Sequence, residues 1–408
     1  MAGFRNVIGR CLELLQIASQ ARILRSVVEF GVKPTQTGTT SVKKSLSYTM
    51  HDVARLAGVS VTTVSSVVNG RGGVTPKLTA RVEDAIATLD YHPNEVARSL
   101  KVNRTFTIGM IVPDVSNFFF NNVLQGVEPS ARRHGYSVVL CDSHEDPAEE
   151  RALLRMLISR RVDGILLASA QANWEEHSLA RRRPPIVCFD RQPAGFKGRA
   201  VVVDNIRVGY KATRHLLELG HRRIATVAGP ESTLTGHGRM EGYRRALQEA
   251  GIPITEGYIR PGGFSREGGY HAAADILRLA NPPTAIFCAN NRMTLGTMCA
   301  LRDLGFQCPQ SVSVCGCDAF DWSELFSPRL TIIVQPSHQM GQVAVDLLLE
   351  AIKAAERQGE AGEVNRMVLD PELCVGQSTA PPPGCSGECR DQQLLPKPKS
   401  SDSRETAA

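Results

Sequence analysis

Thr62, Thr63, Ser65 and Ser66 fall within the stretch Met50–Asn69, MHDVARLAGVSVTTVSSVVN, which ends on Asn69. Their short donors and acceptors lie off the apolar stripe and suit base edges and phosphates in a DNA major groove. A second pair, Asp190-Arg191, directly follows the apolar run that ends at Phe189. A carboxylate beside a guanidinium offers paired acceptors and fork donors, the chemistry that grips vicinal hydroxyls. A structural salt bridge is the other use of such a pair. No nucleophile, base and oxyanion donor assemble into a catalytic set, so the chain reads as a binding protein rather than an enzyme. The glycine-rich PGGFSREGG starting at Pro261 is not G-x-G-x-x-G, which argues against a nucleotide cofactor. The 11 cysteines are scattered, and neither Cys315-Gly-Cys317 nor Cys385 with Cys389 has a matching second pair, so no metal or other cofactor is expected. Cys141, Cys188 and Cys288 end apolar runs as small hydrophobes, consistent with a reduced, cytoplasmic protein.

These residues need elements to position them. Val53, Ala54, Leu56 and Ala57, then Val64, Val67 and Val68, mark one face of each of two short helices. Gly58 permits the positive φ of a tight turn between them, and Ser60 can cap the second. An ordinary helical hairpin packed on a larger domain is the alternative. Thr75-Pro76 opens a third helix carrying Leu78, Val82, Ile86 and Leu89, which closes a three-helix unit over 47–93. Tyr91–Lys101, YHPNEVARSLK, predicts one more short helix from Asn94, marginal in isolation, with a linker to residue 104.

From residue 105 apolar runs alternate with amphipathic segments. The runs are Ile108–Val112, Ser137–Cys141, Gly164–Ala168, Ile186–Phe189, Ala200–Val203, Ile224–Ala228, Ala285–Cys288 and Val312–Cys315. Helices are expected over Asn122–Arg133, Glu149–Arg160, Val208–Leu219, Arg239–Ala250 and Tyr270–Leu279. Repeated βα alternation predicts an α/β fold of parallel sheets, and 105–379 is long enough for two lobes. Ligands in such sheets collect beyond the carboxyl ends of the strands. Leu369–Gly376 is expected as a final strand pair, followed by a disordered tail over 380–408 rich in Pro, Ser and charge. Residues 1–46 carry seven Lys/Arg against Glu13 and Glu29, five of the six net positive charges, and read as a disordered extension. The remainder is near neutral, as a small-molecule domain would be, and no apolar run approaches the ~20 residues of a membrane span.

The pattern V-A-x-x-A-G-V-S-x-x-T-V-S-x-x-x-N, read from Val53 to Asn69, resembles the helix-turn-helix of the lactose/galactose repressor (LacI) family of bacterial transcription factors. The resemblance runs from Tyr48 to about Ser378. It implies a homodimeric repressor that binds a palindromic operator, with a type I periplasmic-binding-protein-like core of two lobes joined by three crossings. Those crossings are expected near Asp204, Phe320 and Gln335. Thr62 and Ser66 would then read base edges, and Thr63 and Ser65 phosphates. Ser66 stands where the family often has arginine, which removes a bidentate guanine contact. Residues 94–101 resemble the family's hinge helix, with Leu100 as the minor-groove wedge and Ala97 at the helix approach.

The resemblance also implies an effector site of ribose-like type. DVSNFFF, from Asp114, is similar to the S-N-P-F-F loop of ribose binders, so Asn117 takes the hydroxyl-binding place and Phe119 and Phe120 the stacking places. Phe118 replaces the usual proline. Asp190 and Arg191 answer to the hydroxyl-gripping pair, Arg239 to the arginine of G-P…R-x-x-G-[FWY], and Phe264 to the opposite aromatic wall. Ala289–Gly296 resembles A-N-D-x-M-A-x-G with Asn291 for the aspartate, and Gln335 matches a hydroxyl-binding glutamine. Asp318 is read as a structural residue between lobes and Trp322 as a further wall, with Ala319 in place of a second aspartate. The implied effector is a small carbohydrate, either a ribose-like monosaccharide or a sugar acid, controlling sugar-catabolism genes.

Overall fold

The structure is a computed structural model that describes residues 48–70, 72–91, 104–174, 184–318, 326–357 and 366–383. It contains two units, divided between Pro93 and Asn94. In the first unit, α1 (Met50–Ala57), α2 (Val61–Val68) and α3 (Pro76–Leu89) enclose Val53, Ala54, Ala57, Val64, Val82, Ala85 and Tyr91. The Thr49 amide and hydroxyl both donate to Asp52 Oδ2, at 2.9 and 2.7 Å, which fixes the start of α1. Gly58 closes α1 at φ 62, and Ser60 Oγ accepts from the Thr63 amide at 3.1 Å to open α2. Leu56, expected on the apolar face, is instead 52% exposed. Helix α1 is only two turns long, and its buried stripe is completed by Val53, Ala54 and Ala57. Tyr91 completes the core from beyond α3.

The second unit has two six-stranded sheets. The first has the order β11 (Arg366–Leu369), β5 (Arg199–Val203), β4 (Ile186–Phe189), β3 (Gly164–Leu167), β1 (Thr107–Val112), β2 (Ser137–Asp142), and is parallel throughout. The second has the order β12 (Glu372–Cys374), β10 (Thr331–Val334), β9 (Ser313–Cys317), β8 (Ala285–Cys288), β6 (Ile224–Ala228), β7 (Ile259–Pro261), with β12 alone antiparallel. Strands buried on both faces need continuous apolar runs, and β3, β6 and β8 are buried along their whole length. Helices α4 (Phe118–Arg133), α5 (Pro147–Ser159) and α10 (Ser337–Glu356) cover the first lobe. Helices α6 (Asn205–Glu218), α7 (Leu234–Glu249), α8 (Arg266–Leu277) and α9 (Asn291–Asp303) cover the second.

The chain changes lobe after β5 at Asp204, after β10 at Gln335, and between β11 and β12. Phe320 lies outside the described residues, but the strands on either side of it, β9 and β10, are neighbours in one sheet. The third crossing is therefore at Asp370-Pro371 rather than near Phe320. For the same reason Leu369–Gly376 is not a strand pair: β11 extends one sheet and β12 the other. The expected tail also begins too early. The Ala380 amide donates to Ser313 Oγ at 3.0 Å, and the Ala380 carbonyl lies 2.8 Å from His221 Nε2, so the packed chain continues past Thr379.

Candidate functional site

Two regions carry candidate chemistry, one in each unit. In the first unit Val64, at 0% exposure, anchors α2 and leaves Thr62 exposed. Thr63 Oγ1 lies 2.9 Å from Ser60 Oγ, and Asn69 Nδ2 donates to the Ser65 carbonyl at 2.6 Å and to Ser65 Oγ at 3.3 Å. Thr63 thus holds the first turn of α2 and Ser65 with Asn69 its last, while Thr62 is its exposed second residue and Ser66 its sixth. Ala97 and Leu100 lie outside the described residues.

In the second unit the loops after the strands converge on one cleft between the lobes. Its lining comprises Asn117, Phe119 and Phe120 beyond β1, Asp190 and Arg191 beyond β4, and Gln335 beyond β10. Thr235 and Arg239 on α7, Phe264 beyond β7, Asn290 beyond β8 and Asp318 beyond β9 complete it. The cavity is small, about 20 Å³, so the lobes stand nearly closed over it. Phe118, Phe119 and Phe120 are not an extended loop but the first turn of α4, because Asn117 caps that helix and its Oδ1 accepts from the Phe119 amide at 3.1 Å. Phe118 therefore occupies N1, the helical position that also favours proline, so its replacement of proline does not disturb the turn. Phe119 and Phe120 meet edge to face with ring centroids 5.1 Å apart.

Arg191 is held by a bidentate pairing with Glu145, at 2.6 and 3.0 Å, and lies over the Phe264 ring at 5.1 Å. Its Nε, 3.6 Å from Asp190 Oδ2, is buried without a hydrogen-bond partner, as is Gln335 Oε1. Arg239, 3% exposed, is not on a solvated face. It donates from Nε to Asn205 Oδ1 at 3.0 Å, and from Nη1 to the Ala289 carbonyl, and stands 3.9 Å from Asp318 Oδ2. Gly209 makes this placement work, since a Cβ there would come within 1.9 Å of the Arg239 carbonyl oxygen. Asp190 is pushed up to about 6 by burial, with Arg191 and Arg239 pulling it back and Asp318 and Glu145 pushing it further. Burial likewise raises Asp318, against Arg239 and the Gln335 amide, which donates to its Oδ1 at 2.5 Å.

Two sequence expectations change here. Asn291 does not line the cavity: its Nδ2 donates to Asn117 Oδ1 at 2.9 Å, joining the lobes, and its Oδ1 accepts from the Arg292 amide. The wall position belongs to Asn290, the residue capping α9, which accepts from the Met293 amide at 2.8 Å and donates to the Phe264 carbonyl at 3.2 Å. Asp318, read from sequence as structural, is on the wall, and Thr235 was not foreseen. The rule that ligands gather beyond strand ends was the available signal for Asp318, which follows β9 directly. Ala319 and Trp322 lie outside the described residues.

Comparison with known proteins bears on both regions. Residues 49–94 match the family model described as bacterial regulatory proteins, lacI family, and 105–369 match periplasmic binding proteins and sugar binding domain of LacI family. The chain is 39% identical over 327 residues to the HTH-type transcriptional repressor PurR of Photorhabdus laumondii, covering 79% of this chain and 95% of that protein. A LacI family transcriptional regulator from Enterococcus faecium with bound ribose is 33% identical, with TM-score 0.61, covering 67% of this chain and 99% of that one. The lac repressor dimer bound to operator and the anti-inducer ONPF is 27% identical, with TM-score 0.72, covering 82% and 99%.

Proposed function

The chain belongs to the lacI family of bacterial regulatory proteins, and from that footing we propose that its effector is a neutral, ribose-like monosaccharide held between the two lobes. At the coarser level it is a DNA-binding transcriptional repressor responsive to a small molecule, and not an enzyme. The observation carrying the finer reading is the cleft wall itself. Phenylalanine rings stand beside two carboxylates, amides and a threonine, which suits a ring with apolar faces and a hydroxyl rim. A hydroxyl both donates and accepts, so it can satisfy Arg191 Nε and Gln335 Oε1 alike. A sugar acid fits less well. Arg191 is already matched by Glu145, and Arg239 by Asp318 and two further acceptors, so a ligand carboxylate would meet no unmatched cation here. The cavity of about 20 Å³ is far below the ~300–1,000 Å³ of drug-sized sites, so the lobes must part to admit even one ring. The E. faecium relative's ribose is consistent with this choice.

A purine is the second reading. The recurring name PurR among relatives favours it, as does the presence of three phenylalanines in the lining.

We further propose that the repressor acts in the cytoplasm as a homodimer on a palindromic operator for sugar-catabolism genes. Thr62 and Ser66 take base edges, Thr63, Ser65 and Asn69 lie toward the backbone, and Ala97 and Leu100 form the minor-groove wedge. Ligand closure of the lobes would alter the pairing of the hinge segments and so the affinity for DNA.

A thermal-shift panel of monosaccharides, sugar acids and purines tests the effector. A ligand at 100 times its Kd adds about 2.7 kcal/mol, several degrees in midpoint. Stabilisation by ribose but not by ribonate or purines is the expected result. Stabilisation by a purine alone would replace the sugar reading with the second. A gel shift with the active compound then gives the sign of control.

A further inference from the structure

We propose that Arg292 is a gate residue: its bridge to Asp114 and Ser116 closes one mouth of the cleft and limits the effector to a single unextended ring. This rests on reading the cleft as the effector site. Arg292 is the second residue of α9, in the second lobe. Its Nη1 pairs with Asp114 Oδ2 and donates to Ser116 Oγ, both on the first-lobe loop between β1 and α4. That loop is built to receive it. The Ser116 amide and hydroxyl donate to Asp114 Oδ1 at 2.9 and 2.6 Å, which leaves Oδ2 facing Arg292.

The closure has two layers. Arg292 and Asp114 side chains are 32% and 27% exposed, so the ion pair lies at the surface. Beneath it is the buried hydrogen bond from the Asn291 side-chain amide to Asn117 Oδ1, and Asn117 is itself cavity wall. Outside, Arg292 borders a surface groove with Ser265, Arg266, Glu267 and Tyr270. Arg292 thus borders the groove while Asn117 borders the cavity, and a substituent leaving the ring past Asn117 would meet the bridge. A half-exposed ion pair is screened by salt and exchanges readily, which suits a gate that must open for every binding event.

The test compares wild type with Arg292→Ala and Arg292→Lys, using D-ribose and its methyl riboside as probes. Wild type should reject the methyl riboside relative to ribose by a factor within the roughly 10–200-fold range of one added carbon. Arg292→Ala should reduce that discrimination to a factor of about two, with Arg292→Lys between them. In ligand-free protein, amide hydrogen exchange over Asn117–Phe120 and Met293–Leu295 should rise about tenfold in Arg292→Ala. Retained operator binding shows that the variant has folded. Unchanged discrimination together with unchanged exchange would overturn the gate. If neither sugar binds any form, the effector reading fails, and exchange alone then decides the gate: faster upholds it, unchanged refutes it.

Discussion

Asp190 is a carboxylate placed where its charge is costly, buried beyond β4 with a pKa pushed up to about 6 from 3.8. Between those two values the folded chain holds a proton that the unfolded chain has released. This group therefore favours the fold at low pH, and its contribution falls as pH rises from about 4 through about 6. Asp190→Asn removes that slope. Calorimetry on ligand-free protein should find the variant's midpoint gaining on wild type across this window and level above it. Sugar binding should move oppositely. An ionised Asp190 accepts more strongly, so wild-type affinity should rise through about pH 6, while Asp190→Asn should be flat and about 10–100-fold weaker, the worth of one hydrogen bond to a charged group. Equal titration curves for the two proteins would remove Asp190 from the binding set. The same scale shows what the chain alone discloses. Asp190 and Gln335 stand out because each directly follows an apolar run. Asn290 and Asn291 differ by one position at a strand-to-helix switch, and only the cap geometry decides which amide turns inward. Asp318 also directly follows a strand, but that it faces the cleft depends on β9 lying between β8 and β10, a long-range pairing that the local sequence does not state.

Helices place the arginine that the strands cannot. Arg239 enters the cleft because α6 and α7 cross closely, with Gly209 against the Arg239 backbone and Gly242 against the Ile206 carbonyl. Gly209→Ala would set a methyl against backbone that cannot turn aside, costing about 1–3 kcal/mol as overpacking does. Effector affinity should fall with the thermal midpoint, because Arg239 moves with α7. A variant that keeps both midpoint and affinity would show that the helices can part without moving Arg239. In the other unit the Ser60 cap plays the corresponding role for α2. Ser60→Ala should cost about 1 kcal/mol and weaken operator binding in a gel shift without changing effector binding. A shared loss would mean the variant had disturbed more than α2. Both helix pairs announce themselves through small residues and cap signals at fixed spacing. The final strands do not: β11 and β12 are separated only by Asp370-Pro371, and nothing in eight residues says that they serve different sheets.

At the scale of the whole molecule, a palindromic operator asks for two reading heads held at a fixed spacing. The second unit has the surface for such an assembly. Among the described residues strand β2 is an edge of the first sheet, and Val139 and Leu140 on it are 37% and 39% exposed, as is Val115 at 39%, whose amide donates to Asp142 Oδ2 at 3.1 Å. Edge strands of monomeric proteins are normally blunted with charge or proline, whereas Ser137–Asp142, SVVLCD, carries apolar residues at its centre. A further cluster beside it in character, Leu330 and Ile332 with half-buried Phe118, Leu295, Met298 and Phe326, draws residues from both lobes. Covering these faces with a second copy would tie dimer geometry to lobe closure, because one lobe cannot move against the other without disturbing the cluster. Leu140→Glu should then yield monomers in sedimentation. Specific operator affinity should fall by about 10²–10⁴, the gain that linking two weak sites confers when both engage. Sugar binding, confined to one chain, should persist. A Leu140→Glu protein that remains dimeric and binds operator as tightly as wild type would place the interface elsewhere. One that becomes monomeric yet keeps full operator affinity would instead separate DNA recognition from dimerisation.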